Sequence, residues 1–180
     1  MTNVTGTDVV VAAQTLGSTV RTTPLEESVR LSAKVGRQVL LKREDIQVGR
    51  SYKVRGAYNF LAGLGPAEAP NGVVCASAGN HAQGVAFACN KKHIHGTIFI
   101  PSTTPRQKRN RIAAIGGEWV TLRTVGTSFD ECSEAAIAFA KENDAVYVHP
   151  FDDPRTIAGQ GTVVKEIFEQ APTPPATVVV

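Results

Sequence analysis

The sequence is poor in the features that announce several common functions. Aromatic residues make up only 6% of its 180 residues, with a single Trp and a single Met. Cys75, Cys89 and Cys132 are widely spaced and form no CxxC pair. That spacing argues against a disulfide framework or a zinc site, so no metal is expected, and it fits a reducing cytoplasm. All three read as buried small apolar residues. No apolar run approaches the ~18 residues of a spanning helix. The N-terminus has no basic region and carries Asp8 inside its apolar part, so it does not read as a secretion signal. The net charge is +3, from 19 basic and 16 acidic residues, too small an excess to argue for nucleic acid or an anionic membrane as the main partner. A GxxxxGK[ST] phosphate loop and a GxSxG nucleophile elbow are both missing.

What the chain does have is a strand–helix rhythm. QVLL (38–41), VVCA (73–76), TIFI (97–100), EWVTL (118–122) and VYV (146–148) are short β-prone runs. Helices are predicted from about Ser51 to Leu61, from Asn80 to Asn90, from Pro105 to Ala114, and from Ser128, where Ser128 and Glu131 have capping-box spacing, to about Asn143. A further helix is predicted over 157–170. Alternation of this kind implies an α/β fold, a mostly parallel sheet flanked by helices on both faces. Ligands in such sheets sit beyond the carboxyl ends of the strands. Ser77, directly after VVCA, and His149, directly after VYV, therefore fall on the binding rim.

Two runs carry candidate chemistry. In SYKVRGAYN (51–59), Lys53 has small and apolar neighbours: Tyr52, Val54, Gly56 and Ala57. A lysine amine there could be desolvated, and Gly56 and Ala57 would admit a backbone or a flat ring. On composition alone, such a lysine is usually a solvated charge. In SAGNHAQGVA (77–86) a strand gives way to a helix start, whose backbone N–H groups form an anion site. Ser77, Asn80 and His81 add side-chain donors suited to a small carboxylate. The same residues also suit a plain capped turn, with Ser77 or Asn80 as N-cap. GQGT (159–162) reads as a structural helix start, because Val164 stands where a dinucleotide fingerprint has its third glycine. His149, Asp152 and Asp153 read as turn residues, since their spacing matches no familiar metal-ligand set. PRQKRNR (105–111) has no interleaved aromatics and reads as a solvated helix face.

These runs, with LKREDIQ (41–47), TPRQKRNRI (104–112), GGEWV (116–120), FDE (129–131) and HPFDDPRTIAGQGT (149–162), resemble the biosynthetic threonine dehydratases (threonine ammonia-lyases). These belong to the tryptophan-synthase-β-like pyridoxal phosphate family. The likeness runs in order from about Thr23 to Gln170. It implies a two-domain fold, with a smaller mobile α/β domain over 49–148 and with 1–48 and 149–180 as part of a larger cofactor domain that is incomplete here. It implies pyridoxal phosphate as cofactor, an amino-acid substrate, a homo-oligomer, and a place in isoleucine biosynthesis. Lys53 would hold the cofactor as a Schiff base and remove the substrate's α-proton. Asn80 would hydrogen-bond the phenolic oxygen of the pyridine ring. The loop Ser77, Ala78, Gly79, Asn80 and His81 would bind the substrate carboxylate. Loss of the β-hydroxyl of L-threonine would yield 2-oxobutanoate and ammonia. The resemblance also admits a serine or 3-hydroxyaspartate dehydratase. Related serine racemases place a second base, a serine, where Ala78 stands; alanine moves no proton, so elimination is expected over racemisation.

The end of the sequence departs from the family pattern. APTPPA (171–176) reads as a connection and residues 178–180 as the start of a strand. The family's glycine-rich phosphate loop follows such a strand, and neither it nor the later polar residue that meets the pyridine nitrogen is found in these residues. The expectation is a fragment whose unfinished sheet associates, with weak cofactor affinity. An inactive fragment, or a non-catalytic partner of a full-length subunit, is the alternative of another class.

Overall fold

A computed structural model describes residues 3–65 and 67–180. The chain opens with helix α1 (Gly6–Leu16), started by a capping box. The Thr5 hydroxyl accepts from the Asp8 N–H, and the Asp8 carboxylate accepts from the Thr5 N–H at 2.7 Å. Strand β1 (Leu25–Glu27), helix α2 (Val29–Val35) and strand β2 (Leu40–Lys42) follow. The two strands pair antiparallel, Leu25 opposite Lys42, as a ribbon of their own. The strand expected over 38–41 therefore sits two residues later and outside the parallel sheet.

The main body alternates as the sequence predicts: α3 (Lys53–Ala62), β3 (Val73–Ala76), α4 (Asn80–Lys92), β4 (Gly96–Ile100), α5 (Arg106–Gly116), β5 (Val120–Thr124), α6 (Phe129–Glu142), β6 (Val146–Tyr147) and α7 (Pro154–Gln170). The four strands β3–β6 are parallel, in the order β5-β4-β3-β6. Strand β3 is central and buried at every position, which is why VVCA has no polar member. Its residues alternate between two cores. Val73 and Cys75 pack with Ile98, Ile100 and the apolar faces of α3, α4 and α5. Val74 and Ala76 pack with Phe99 and with Cys132, Ala136 and Ala140 of α6. Helix α6 begins with the predicted Ser128–Glu131 capping box. The three cysteines are free and buried, as expected.

Three boundaries differ from expectation. Gly117–Trp119 forms a 3-10 turn, so β5 begins at Val120 and not at Glu118. GQGT lies inside α7; that helix starts at Pro154, where Asp153 is the N-cap and accepts from the Arg155 N–H at 2.8 Å. Residues 178–180 form no strand, and Val180 is fully exposed.

The glycines within α7 serve packing. A Cβ on Gly159 would lie 2.6 Å from the Arg55 carbonyl oxygen and 2.7 Å from Gly56 Cα. A Cβ on Gly56 would lie 2.7 Å from the Thr156 carbonyl oxygen. Helices α3 and α7 thus cross with glycine on both sides, and α3 is fixed in depth by backbone contact.

Candidate functional site

Lys53 is the first residue of α3. Its N–H donates to Ser51 Oγ at 3.3 Å, and Tyr52 at the N-cap offers no side-chain bond. The amine is half-buried. Nζ donates to the Pro150 carbonyl oxygen at 3.3 Å and stands 5.2 Å from the centre of the Tyr52 ring. Among the described residues no carboxylate pairs with it. The helix behind it is set close: a Cβ on Gly84 of α4 would lie 2.9 Å from the Lys53 carbonyl oxygen and 3.1 Å from Val54 Cα.

The Ser77–His81 loop leaves the carboxyl end of β3, as the rim argument requires. The Ser77 N–H donates to the Phe99 carbonyl, and Ser77 Oγ accepts from the Gly79 N–H at 3.1 Å. Gly79 is the N-cap of α4, and no side chain caps the helix. Neither Ser77 nor Asn80 is therefore the N-cap, and the plain capped turn is set aside. The first-turn N–H groups keep the capacity to bind an anion. A Cβ on Gly79 would meet nothing within 4 Å, so space lies open before them. Asn80 is exposed, and Ala78 is half-buried.

His81 is buried, and its Nε2 meets the Val148 carbonyl oxygen at 3.0 Å. Burial pushes its pKa down to about 4; the bond to Val148 opposes this, and the charges of Lys53 and His149 assist it. The ring is therefore neutral at pH 7, donates from Nε2, and leaves Nδ1 buried without a partner. An orphaned buried nitrogen at the end of this loop is a polar group without its partner.

A buried ionic cluster that no local run of residues signals lies behind α3. Arg55 is 1% exposed. Its guanidinium donates to both oxygens of Glu44, at 3.0 and 2.8 Å, and to both of Glu166, at 2.6 and 3.0 Å. Lys42 Nζ joins Glu166 at 2.6 Å. Burial pulls Arg55 down, and the two carboxylates outweigh it and hold it above the usual value. Burial pushes Glu166 up, and hydrogen bonds from Arg55 and Lys42 bring it below the ordinary carboxylate range. A cleft of about 170 Å³ opens beside this cluster, lined by Leu16, Val20, Thr162 and Lys165 among others, away from Lys53.

Asp153 is committed to capping α7 and to the Arg155 guanidinium, at 3.2 Å. Among the described residues no group of three His, Cys, Asp or Glu side chains could hold a metal, and no helix is long and apolar enough to cross a membrane. The basic residues of α5 are mostly exposed, as a solvated face should be.

Residues 16–180 match the family model described as pyridoxal-phosphate dependent enzyme. The L-threonine dehydratase biosynthetic IlvA of Mycobacterium tuberculosis (strain ATCC 25618 / H37Rv) is 48% identical over 178 residues, which are 99% of this chain and 42% of that protein. The protein of the same name from Lactococcus lactis subsp. lactis is 50% identical over 156 residues, 87% of this chain and 38% of that one. The chain spans less than half the length of these curated relatives. Among solved structures, the processed form of threonine deaminase isoform 2 from Solanum lycopersicum superposes with a TM-score of 0.82 at 39% identity, over 92% of this chain and 47% of that one. Maize serine racemase superposes with a TM-score of 0.86 at 32% identity, over 92% and 50%.

Proposed function

Because this chain belongs to the family of pyridoxal-phosphate dependent enzymes, we propose that it carries the amine and the substrate loop of an ammonia-lyase that converts L-threonine to 2-oxobutanoate and ammonia. The observation that carries this reading is the Lys53 amine, half-buried, free of any carboxylate among the described residues, and bonded only to a backbone carbonyl. An amine in a tight ion pair would be poorly placed to meet an aldehyde.

The residues fit the cofactor at its reactive end. Lys53 Nζ would hold the aldehyde carbon. The uncapped N-terminus of α4 and the open space before Gly79 would take the substrate carboxylate. Asn80, exposed at the first position of α4, would reach the ring's phenolic oxygen. Pyridoxal phosphate, when bound, supplies the electron sink for the carbanion at the substrate's α-carbon. Lys53 would take the α-proton as a general base. Ala78 has no group to return a proton from the opposite face, which favours loss of the β-hydroxyl over racemisation. The neutral His81 ring presents an acceptor at Nδ1 and adds no charge beside the amine.

In this reading residues 49–148 form the smaller mobile domain, with 1–48 and 149–180 belonging to the cofactor domain. The chain works as a homo-oligomer in the cytoplasm. Exposed Val29, Phe151 and Phe168 support association, and three free cysteines support a reducing compartment. Sedimentation and cell fractionation read these two points.

The test is direct. The protein with pyridoxal phosphate should develop a visible-edge absorbance band that borohydride abolishes and that Lys53→Ala never shows. Threonine in heavy water should give ammonia and 2-oxobutanoate without D-isomer, and faster than serine or 3-hydroxyaspartate. No band and no ammonia from the purified chain would favour a non-catalytic fragment or partner; appreciable D-isomer would overturn the role given to Ala78.

A further inference from the structure

Three consecutive carbonyls, of Val148, His149 and Pro150, each accept from the side chain of a different helix. The Val148 oxygen takes His81 Nε2 of α4 at 3.0 Å. The His149 oxygen takes Thr156 Oγ1 of α7 at 3.3 Å. The Pro150 oxygen takes Lys53 Nζ of α3 at 3.3 Å. Strand β6 feeds this segment from below, where the Val148 N–H still donates to the Val74 carbonyl at 2.8 Å.

The turn that carries the third carbonyl is closed by a side chain. His149 Nδ1 accepts from the Asp152 N–H at 2.8 Å and from the Phe151 N–H at 3.4 Å. A nitrogen accepting two backbone N–H groups carries no proton of its own, so the ring proton sits on Nε2. The acceptor stands where an Asn or Asp oxygen stands in an Asx turn. The ring is also held by edge contacts, 4.7 Å from the Phe151 centroid and 6.1 Å from that of Tyr147. Neither acid of the loop competes for this work: Asp153 caps α7 and Asp152 is exposed and makes no ion pair among the described residues.

We propose that His149 is a positioning residue for the Lys53 amine: its Nδ1 closes the 149–152 turn and so presents the Pro150 carbonyl that holds Nζ in place. The functional meaning rests on the reading of Lys53 as the cofactor amine; the geometric device does not. A lysine stem has four rotatable bonds, and one directional acceptor at its tip selects among the positions they allow. The amine would then be placed before any aldehyde arrives.

Two variants separate the acceptor from the ring. His149→Phe keeps the edge contacts and loses the acceptor. His149→Asn loses the ring and keeps an oxygen able to accept the same N–H groups. The cofactor-free 180-residue protein is dimethylated with formaldehyde and cyanoborohydride. The rate at Lys53 is read by peptide mass spectrometry against the exposed Lys91 and Lys92. Lys53 should be protected in the natural sequence, modified roughly fivefold to tenfold faster in His149→Phe, as for loss of one ordinary hydrogen bond, and protected again in His149→Asn. Equal protection in His149→Phe, or lost protection in His149→Asn, overturns the proposal. Should His149→Phe not fold, His149→Asn alone still decides, because the proposal requires it to protect Lys53. Labelling by pyridoxal phosphate at a different lysine would sink the reading of Lys53 and leave this result standing.

Discussion

Acid should weaken this fold through one histidine before it reaches the carboxylates. His81 is buried, bonded through Nε2 to the Val148 oxygen, with Nδ1 enclosed and unpartnered. Its pKa falls from 6.5 to about 4, chiefly because burial penalises the imidazolium. The sign follows from proton counting. As pH falls below 6.5 the unfolded chain takes up a proton at this residue and the folded chain does not, so stability is intact above that value and is lost below it. At about 1.36 kcal/mol per pH unit the full effect is about 3 kcal/mol, with about 2.5 kcal/mol of it expressed by pH 4.5. Asp8, Asp45, Glu131 and Glu166 have lowered values, so their own losses begin as the unfolded chain protonates in the ordinary carboxylate range, and they cancel when the natural sequence is compared with a variant at position 81. The comparison variant is His81→Gln, whose amide nitrogen can reach the same carbonyl and does not titrate. Urea unfolding followed by the fluorescence of Trp119 at pH 7.5 and 4.5 gives the four stabilities needed. The natural sequence should lose about 2.5 kcal/mol more than the variant over that interval. Equal losses in the two proteins would refute the assignment of the penalty to His81.

Two further perturbations test the frame that holds Lys53. Arg55→Met leaves Glu44 without its partner and Glu166 with Lys42 alone, and should lower stability by about 3–5 kcal/mol. Thermal unfolding should show that deficit shrinking as pH falls through the ordinary carboxylate range, since the stranded, desolvated acids protonate there or above it; a deficit that is independent of pH would mean lost packing. Gly84→Ala forces a Cβ to within 2.9 Å of the Lys53 carbonyl oxygen, a backbone atom that cannot swing aside. It should cost about 1–3 kcal/mol and change the dimethylation rate at Lys53, and an unchanged melting temperature with an unchanged rate would show that α3 and α4 separate freely.

The parts of the fold legible in the sequence are those with a local cause. VVCA is apolar at four successive positions because β3 is covered on both faces, and it reads as a buried strand at once. The capping box at Ser128 is written in two residues three apart. GQGT misled because glycine normally interrupts helices; its Gly159 is kept by a crossing with Gly56, and nothing near residue 159 announces that partner. The candidate site at Lys53 was legible as a lysine, a loop and an order of motifs. Its immediate acceptor was not, because Pro150 contributes a backbone oxygen from 97 residues away and any residue type could have supplied one. The orphaned Nδ1 of His81 is likewise a property of burial, which the run SAGNH does not encode by itself.

The buried ions explain how a lysine at a helix start can be held still. Residues two apart on an α-helix point about 200° apart around its axis, so Arg55 faces away from the side on which Lys53 meets Pro150. On that far side Arg55 ties α3 to Glu44, 11 residues before it, and to Glu166 on α7, 111 residues after it. Two cations and two anions balance there, so no net charge is buried. An apolar set replacing all four charged side chains together could match the stability, since desolvation offsets much of the attraction in buried pairs. It could not match the direction, because four guanidinium hydrogen bonds to two carboxylates fix the rotation of α3 about its own axis. Contact with α4 at Gly84 and with α7 at Gly56 and Gly159 fixes its depth. Rotation and depth together determine where the first residue of α3 points, and that residue is Lys53.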